Sequence, residues 1–143
     1  MIVSFLETDK TPELTFVVVA ARHDDKWLFV RHRKRSTYEH AGGHIEPGES
    51  SISAARRELF EEAGAIDFEL VPVCKYGVTQ DGKTTYGEIF YADVIALGEM
   101  PTEFEMAERI LCETFPENLT YPEILPKIHA RVRMWLDERI VRE

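Results

Sequence analysis

At 143 residues and a formal charge of −9, the chain is long enough for one domain with a substantial core and too short for two of ordinary size. The acidic balance argues against broad binding to nucleic acid polymers or anionic membranes, which attract basic faces, and favours a compact substrate. No apolar run approaches the roughly 20 residues that span a bilayer, and the start MIVSFLETDK lacks a signal peptide's basic region and cleavage pattern; the expected compartment is the cytoplasm, with no membrane partner.

In chain order, LTFVVVAA at 14–21 reads as a buried strand from its apolar, β-branched run. WLFVRH from Trp27 reads as another, and the HDDK turn between them predicts a hairpin. Alternation in the second strand puts Arg31 and Arg33 on one face and His32 on the other. These residues open the basic run Arg31 to Arg35, a local positive patch suited to a polyanionic substrate. STYEHAGGHIEPGESS at 36–51 reads as loop, with Gly42, Gly43, Pro47 and Gly48 as breakers.

A helix is expected from a cap at Ser50 or Ser51 to about Ala63, stopped by Gly64 at positive φ. At roughly 100° per residue, Arg57, Glu58, Glu61 and Glu62 share an arc of roughly 140°. Ile52, Ala55, Leu59 and Ala63 form the opposite, apolar stripe. The charged face is therefore expected to look outward, into a cleft or solvent.

Runs at 67–77 and 84–95 flank Asp81-Gly82, a hairpin turn signal. Glu88 lies in the second run, facing either solvent or a site. After the loop GEMPTEFE, Ile110 and Leu111 predict a short strand. A last helix is expected with Thr120 as a cap and Pro122 early, then Leu125, Ile128, Val132, Trp135, Leu136 and Ile140 at helical spacing. These serve the core or the contacts of a homodimer. Cys74 and Cys112 lack metal-ligand spacing and read as buried thiols. The elements together predict an α/β fold with a mixed sheet of at least four strands between helices.

Three carboxylates at i, i+3 and i+4 repel one another on a helix, so something positive should offset them. A hard cation such as Mg²⁺, or Mn²⁺ in its place, prefers oxygen donors and is shared between carboxylates and substrate phosphates. The spacing also fits G-x5-E-x7-R-E-U-x-E-E-x-G-U, with U apolar, through Gly43, Glu49, Arg57, Glu58, Leu59, Glu61, Glu62, Gly64 and Ala65. Its seven fixed letters coincide by chance with probability on the order of 10⁻⁷ per starting position, on composition. The chain resembles the Nudix hydrolases, and among them the small bacterial pyrophosphohydrolases of nucleoside triphosphates and their oxidised forms. Ala65 is smaller than the usual apolar residue there, and Ala41 stands where most relatives have Pro.

The resemblance implies an α/β/α sandwich over 1–143 and hydrolysis of a phosphoanhydride bond in a small nucleotide. Its metal ligands would be Glu58, Glu61, Glu62 and the carbonyl of Gly42, with Arg57 and Glu49 orienting the acids. In several relatives a carboxylate from a later loop completes the site, a place that falls to Glu105 in this chain, with Glu108 behind it. An arginine closing the second strand contacts substrate phosphates in the family, which implies Arg33, with Arg31 second, and Gly43 admits the substrate closely. Rival substrates are ADP-ribose, nucleotide sugars, dinucleoside polyphosphates and capped RNA ends; a different class is a catalytically silent nucleotide sensor, which commonly loses the box glutamates that this chain keeps.

Overall fold

The computed structural model describes residues 1–6 and 12–142, with side chains through Arg139. In chain order it contains β1 (Ile2–Phe5), β2 (Phe16–His23), β3 (Lys26–His32), β4 (Tyr38–Glu39), β5 (Ala41–His44), α1 (Ser51–Ala63), β6 (Ala65–Gln80), β7 (Lys83–Leu97), β8 (Met106–Cys112) and α2 (Leu125–Arg142). The strands form one mixed sheet in the order β1-β6-β7-β2-β3-β4, with β5 added on β2 and β8 on β3. β2 runs parallel to β7 and antiparallel to β3 and β5.

Two hairpins arise from local chemistry. Asp24 and Asp25 both take positive φ between paired His23 and Lys26, and Asp81 and Gly82 do the same between Gln80 and Lys83. Two central residues at positive φ match the right-handed twist of the strands they join.

β2 divides the core by alternation. Val17, Val19 and Ala21 meet Leu28, Val30 and the buried α1 residues Ala54, Ala55, Leu59 and Ala63 on one face. Ala20 meets Trp27, Phe29, Tyr76 and the α2 residues Ile128 and Val132 on the other, with Phe16 and Val18 packed alongside. One helix covers each side of the sheet, so the α/β/α sandwich expected from the sequence is the observed fold.

α1 is capped as expected. The Ser50 hydroxyl accepts from the Ser53 amide at 3.2 Å, and Gly64, at φ 70°, returns its amide to the Phe60 carbonyl. Its apolar stripe is rotated from the expected one: Ile52 is 40% exposed, while Ala54 is buried. Glu62 is buried as well, so part of the charged face turns into the protein.

Other differences trace to close backbone approach. The segment at 36–51 is not wholly loop, because Ala41–His44 pairs with Phe16–Val19 and Tyr38–Glu39 pairs with Val30–Arg31. A Cβ on Gly42 would stand 2.3 Å from the Val17 carbonyl oxygen; this glycine lets β5 lie against β2 rather than breaking the chain. β8 runs well beyond Ile110 and Leu111, its charges Glu108 and Arg109 masking the pattern. β1, too short to stand out in sequence, adds to β6 at the sheet edge.

The last helix begins at Leu125 rather than near Thr120, whose amide bonds the Tyr38 carbonyl and whose hydroxyl meets Thr37. Pro126 falls in its first turn, where an amide has no helical partner to lose. Leu125, Ile128 and Val132 are buried, and Trp135 and Leu136 pack against the core. Ile140 lies outside the described side chains. No helix among the described residues is long and apolar enough to cross a membrane.

Candidate functional site

The second half of α1 faces β5, and the pair builds the charged cluster. Arg57 is its hub. Its Nε and Nη2 grip Glu49 with two bonds of 2.8 and 2.9 Å, and Nη2 also donates to the His44 carbonyl at 3.0 Å. Nη1 reaches Glu58 at 2.7 Å and Glu61 at 3.4 Å. A planar guanidinium with five donors can hold the loop and both helix acids at once, which a lysine cannot. Hydrogen bonding from Arg57, then from the Glu46 amide, holds the Glu49 carboxyl down to about 2.

Glu58 rests where Gly43 leaves room. A Cβ on Gly43 would stand 2.7 Å from the Glu58 carboxylate, so that glycine opens the pocket in which the acid sits. Burial raises the Glu58 pKa, against the pull of Arg57. Glu62 lies deeper. Its Oε1 accepts the Gly42 amide at 2.7 Å, and burial, with the nearby charges of Glu58, Glu39 and Glu105, pushes its pKa up to about 9.

Among the described residues no three His, Cys, Asp or Glu side chains are gathered in metal-binding geometry. The donor chemistry nonetheless fits a hard cation. Several carboxylates crowd one pocket, and burial presses a proton onto Glu62, as expected where positive charge would relieve mutual repulsion. Glu58 and Glu62, with Glu61 beside Arg57, are the side chains that would hold such an ion.

A cavity of about 540 Å³ adjoins this cluster at Glu62. Gly42, Gly43, His44, Glu62 and Glu105 line it together with the apolar side chains of Phe16, Val18, Tyr76 and Ile124. Phe16 and Tyr76 meet edge to face at 5.4 Å. Of the three carboxylates that could complete the site, Glu105 alone lines this cavity, with His32 Nε2 at 3.7 Å. Glu88 instead accepts the Ser51 hydroxyl at 2.5 Å near the start of α1. Glu108 accepts from Arg31 at 2.8 Å and from the Tyr38 hydroxyl at 2.6 Å, which lowers its pKa.

The basic run divides likewise. Arg31 is held by Glu108 and the Arg35 carbonyl, and Arg33 donates to the Thr102 carbonyl; neither lines the cavity. Arg35 and His32 do, with Arg35 3.4 Å from Glu39. Sequence patterns alone do not single out Arg35, Glu39, His32 or His40 as site residues. Their only signal is membership of a basic run and of a glycine-rich segment that reads as loop.

His40 and His129 form a buried pair, Nε2 to Nδ1 at 3.4 Å, with rings stacked 5.6 Å apart. Burial holds both imidazoles below their ordinary range, bringing His40 down to about 3 and His129 to about 4; repulsion from a protonated His129 lowers the first further, and the charge of Arg133 the second.

The family model described as NUDIX domain matches residues 11–130. A relative from Bacillus subtilis (strain 168), provisionally named 8-oxo-dGTP diphosphatase YtkD, is 36% identical over 104 residues. That match covers 73% of this chain, and the chain spans 65% of the relative's length. The crystal structure of a mutant of the Bacillus subtilis pyrophosphohydrolase BsRppH is similar at TM-score 0.77 and 28% identity, over 92% of this chain and 89% of that one. A NUDIX hydrolase from Nitrosomonas europaea shares the fold at TM-score 0.67 and 23% identity, over 85% of this chain and 90% of that one. With the family match spanning most of its length and the acid-bearing helix in place, the chain belongs to the Nudix hydrolase family.

Proposed function

We propose that this protein is a divalent-metal-dependent pyrophosphohydrolase that cleaves a nucleoside triphosphate, oxidised forms included, to a monophosphate and pyrophosphate. The observation that carries this reading is one cavity lined both by the carboxylates of Glu62 on α1 and Glu105 and by aromatic and apolar side chains. Its volume suits a nucleotide, whose phosphates need charged lining and whose base needs apolar lining. The relative named as an 8-oxo-dGTP diphosphatase supports the same substrate class.

Mg²⁺ or Mn²⁺, when bound, supplies positive charge to the phosphate oxygens and acidifies a coordinated water. The residues themselves do the rest. Glu58, Glu61 and Glu62 offer oxygens from one helix face, while Arg57 and Glu49 keep that face in register with the loop. Glu105, on the cavity wall, is assigned the task of orienting the attacking water. Arg35 is assigned a substrate phosphate, since it lines the cavity where Arg31 and Arg33 do not; those two add positive charge nearby.

The test is a panel of nucleoside triphosphates, 8-oxo-dGTP, ADP-ribose, a nucleotide sugar and a dinucleoside polyphosphate, assayed with Mg²⁺, with Mn²⁺ and with EDTA. Pyrophosphate release from a triphosphate that stops with EDTA supports the proposal. Turnover confined to ADP-ribose, nucleotide sugars or dinucleoside polyphosphates would reassign the substrate, and no metal-dependent turnover would remove the activity.

A further inference from the structure

His32 closes β3 and lines the cavity, and the proton on its ring can be placed. Its Nδ1 accepts the Lys34 backbone amide at 3.1 Å. A backbone N–H only donates, so Nδ1 presents a lone pair and the neutral ring carries its proton on Nε2. That second nitrogen faces Glu105 Oε2 at 3.7 Å. The turn supplying the Lys34 amide is closed in turn by the Arg35 amide, which donates to the His32 carbonyl at 3.0 Å. A side chain that only capped this turn needs one acceptor, which the shorter Asn or Asp supplies. The imidazole offers a donor on its far side as well.

Strand pairing brings the two residues together. β3 and β8 shift register between Arg31, paired with Glu108, and His32, paired with Met106. A bulge of this kind re-aims the side chains beside it. Here Met106 stays buried, and Glu105 comes level with Arg33, whose amide donates to the Glu105 carbonyl at 3.0 Å. The Glu105 side chain is left 78% exposed, with His32 as its one ionic or hydrogen-bonding partner among the described residues. Its charge bears on Glu58 and Glu62, so it stands near the acids of α1. An exposed glutamate beside other acids samples several rotamers unless a donor holds it. A separation of 3.7 Å exceeds a hydrogen bond, but catalytic hydrogen bonds are often long before substrate binds and tighten in the complex.

We infer that His32 is a positioning residue for hydrolysis: its Nε2–H donates to Glu105 and holds that carboxylate toward the attacking water, while the Lys34 amide fixes the tautomer. This rests on the reading that Glu105 orients water in a metal-dependent reaction. The imidazole stays neutral throughout and acts through Glu105 alone.

The experiment measures kcat and KM for dGTP and 8-oxo-dGTP with Mg²⁺ on wild type, His32→Phe, His32→Gln, His32→Asn, Glu105→Gln and the double variant His32→Phe with Glu105→Gln, each checked by thermal melting. Gln carries its amide donor to about the place of Nε2, whereas Asn reaches only that of Nδ1. The expected result is that His32→Phe lowers kcat about tenfold with KM changed less than about twofold, that Gln restores most of the loss and Asn does not. Added to Glu105→Gln, His32→Phe should cost nothing further, since both act through one carboxylate. A rise in KM with kcat unchanged, rescue by Asn rather than Gln, or the same loss in both backgrounds overturns the inference while leaving the hydrolase activity standing. A wild-type rate in Glu105→Gln overturns the role given to Glu105 and this inference with it, whereas the absence of metal-dependent hydrolysis in wild type removes the activity itself. If the variants melt, the wild type decides: nitrogen NMR of the His32 ring at pH 8 should show a protonated Nε2 and a bare Nδ1, and a proton on Nδ1 overturns the inference.

Discussion

The Gly42 amide donates to Glu62 Oε1 over 2.7 Å, tying the strand that pairs with β2 to the last turn of α1. One bond therefore connects sheet register to the geometry of the acidic cluster.

Replacing Glu62 with Gln keeps an acceptor for Gly42 but removes the charge. Turnover should fall by about two orders of magnitude or more, with a comparable loss for Glu61→Gln. Stability should move the other way for Glu62→Gln. The folded carboxyl titrates near 9, above its ordinary 4.5, so the folded state holds the proton more tightly and loses stability as pH rises through that window. Metal-free Glu62→Gln at pH 8 should thus melt no lower than wild type. Kinetics and calorimetric melting check both parts, and a native-like rate in Glu62→Gln would refute its role.

The adjacent glycines should fail in different ways. Gly43→Ala would drive a methyl against the Glu58 carboxylate, a side chain that can move, so activity should drop with little change in Tm. Gly42→Ala would meet the Val17 backbone, which cannot yield without parting β5 from β2, at a cost of about 1–3 kcal/mol. Comparing Tm and kcat for the two variants tests this.

Arg35→Ala should raise KM for a nucleoside triphosphate by about tenfold, as expected for loss of a charge-assisted phosphate contact, with Arg33→Ala giving a smaller change. The effect should shrink in high salt. Equal effects of the two substitutions would return the substrate contact to Arg33.

The histidine pair should leave a signature in acid stability. Both rings titrate below their ordinary 6.5 when folded, at about 3 for His40 and about 4 for His129, so the unfolded chain binds more protons between those values and 6.5. Their contribution is present above 6.5 and is lost as pH falls through the window. Glu62 acts in the opposite sense above 4.5, so the comparison is of wild type with His129→Phe, whose melting temperature should fall less between pH 7 and pH 5. Parallel curves would show that the pair does not set this dependence.

Much of the molecule is legible in sequence because the relevant physics is local. The wheel of α1 places Arg57, Glu58, Glu61 and Glu62 together whatever surrounds the helix, and paired aspartates or Asp-Gly specify hairpins within four residues. Gly64 stops the helix for a reason contained in its own backbone. The depth of Glu62, by contrast, depends on the approach of β5, a strand hidden in sequence because its glycines read as breakers.

Sequence by itself determined the acid-bearing helix, its caps and the family, since helical periodicity and a fixed spacing are properties of adjacent residues. Only the tertiary structure decided which charges reach the cavity. Arg31 and Arg33 carry the same charge as Arg35, but β8 brings Glu108 to the first and the Thr102 carbonyl meets the second, leaving Arg35 at the cavity wall. Likewise Glu88, Glu105 and Glu108 are chemically equal, and their surroundings are set by segments 37 to 77 residues away for the two that are bound elsewhere. Strand register across such separations is settled by packing of the whole sheet, which no single stretch of chain encodes.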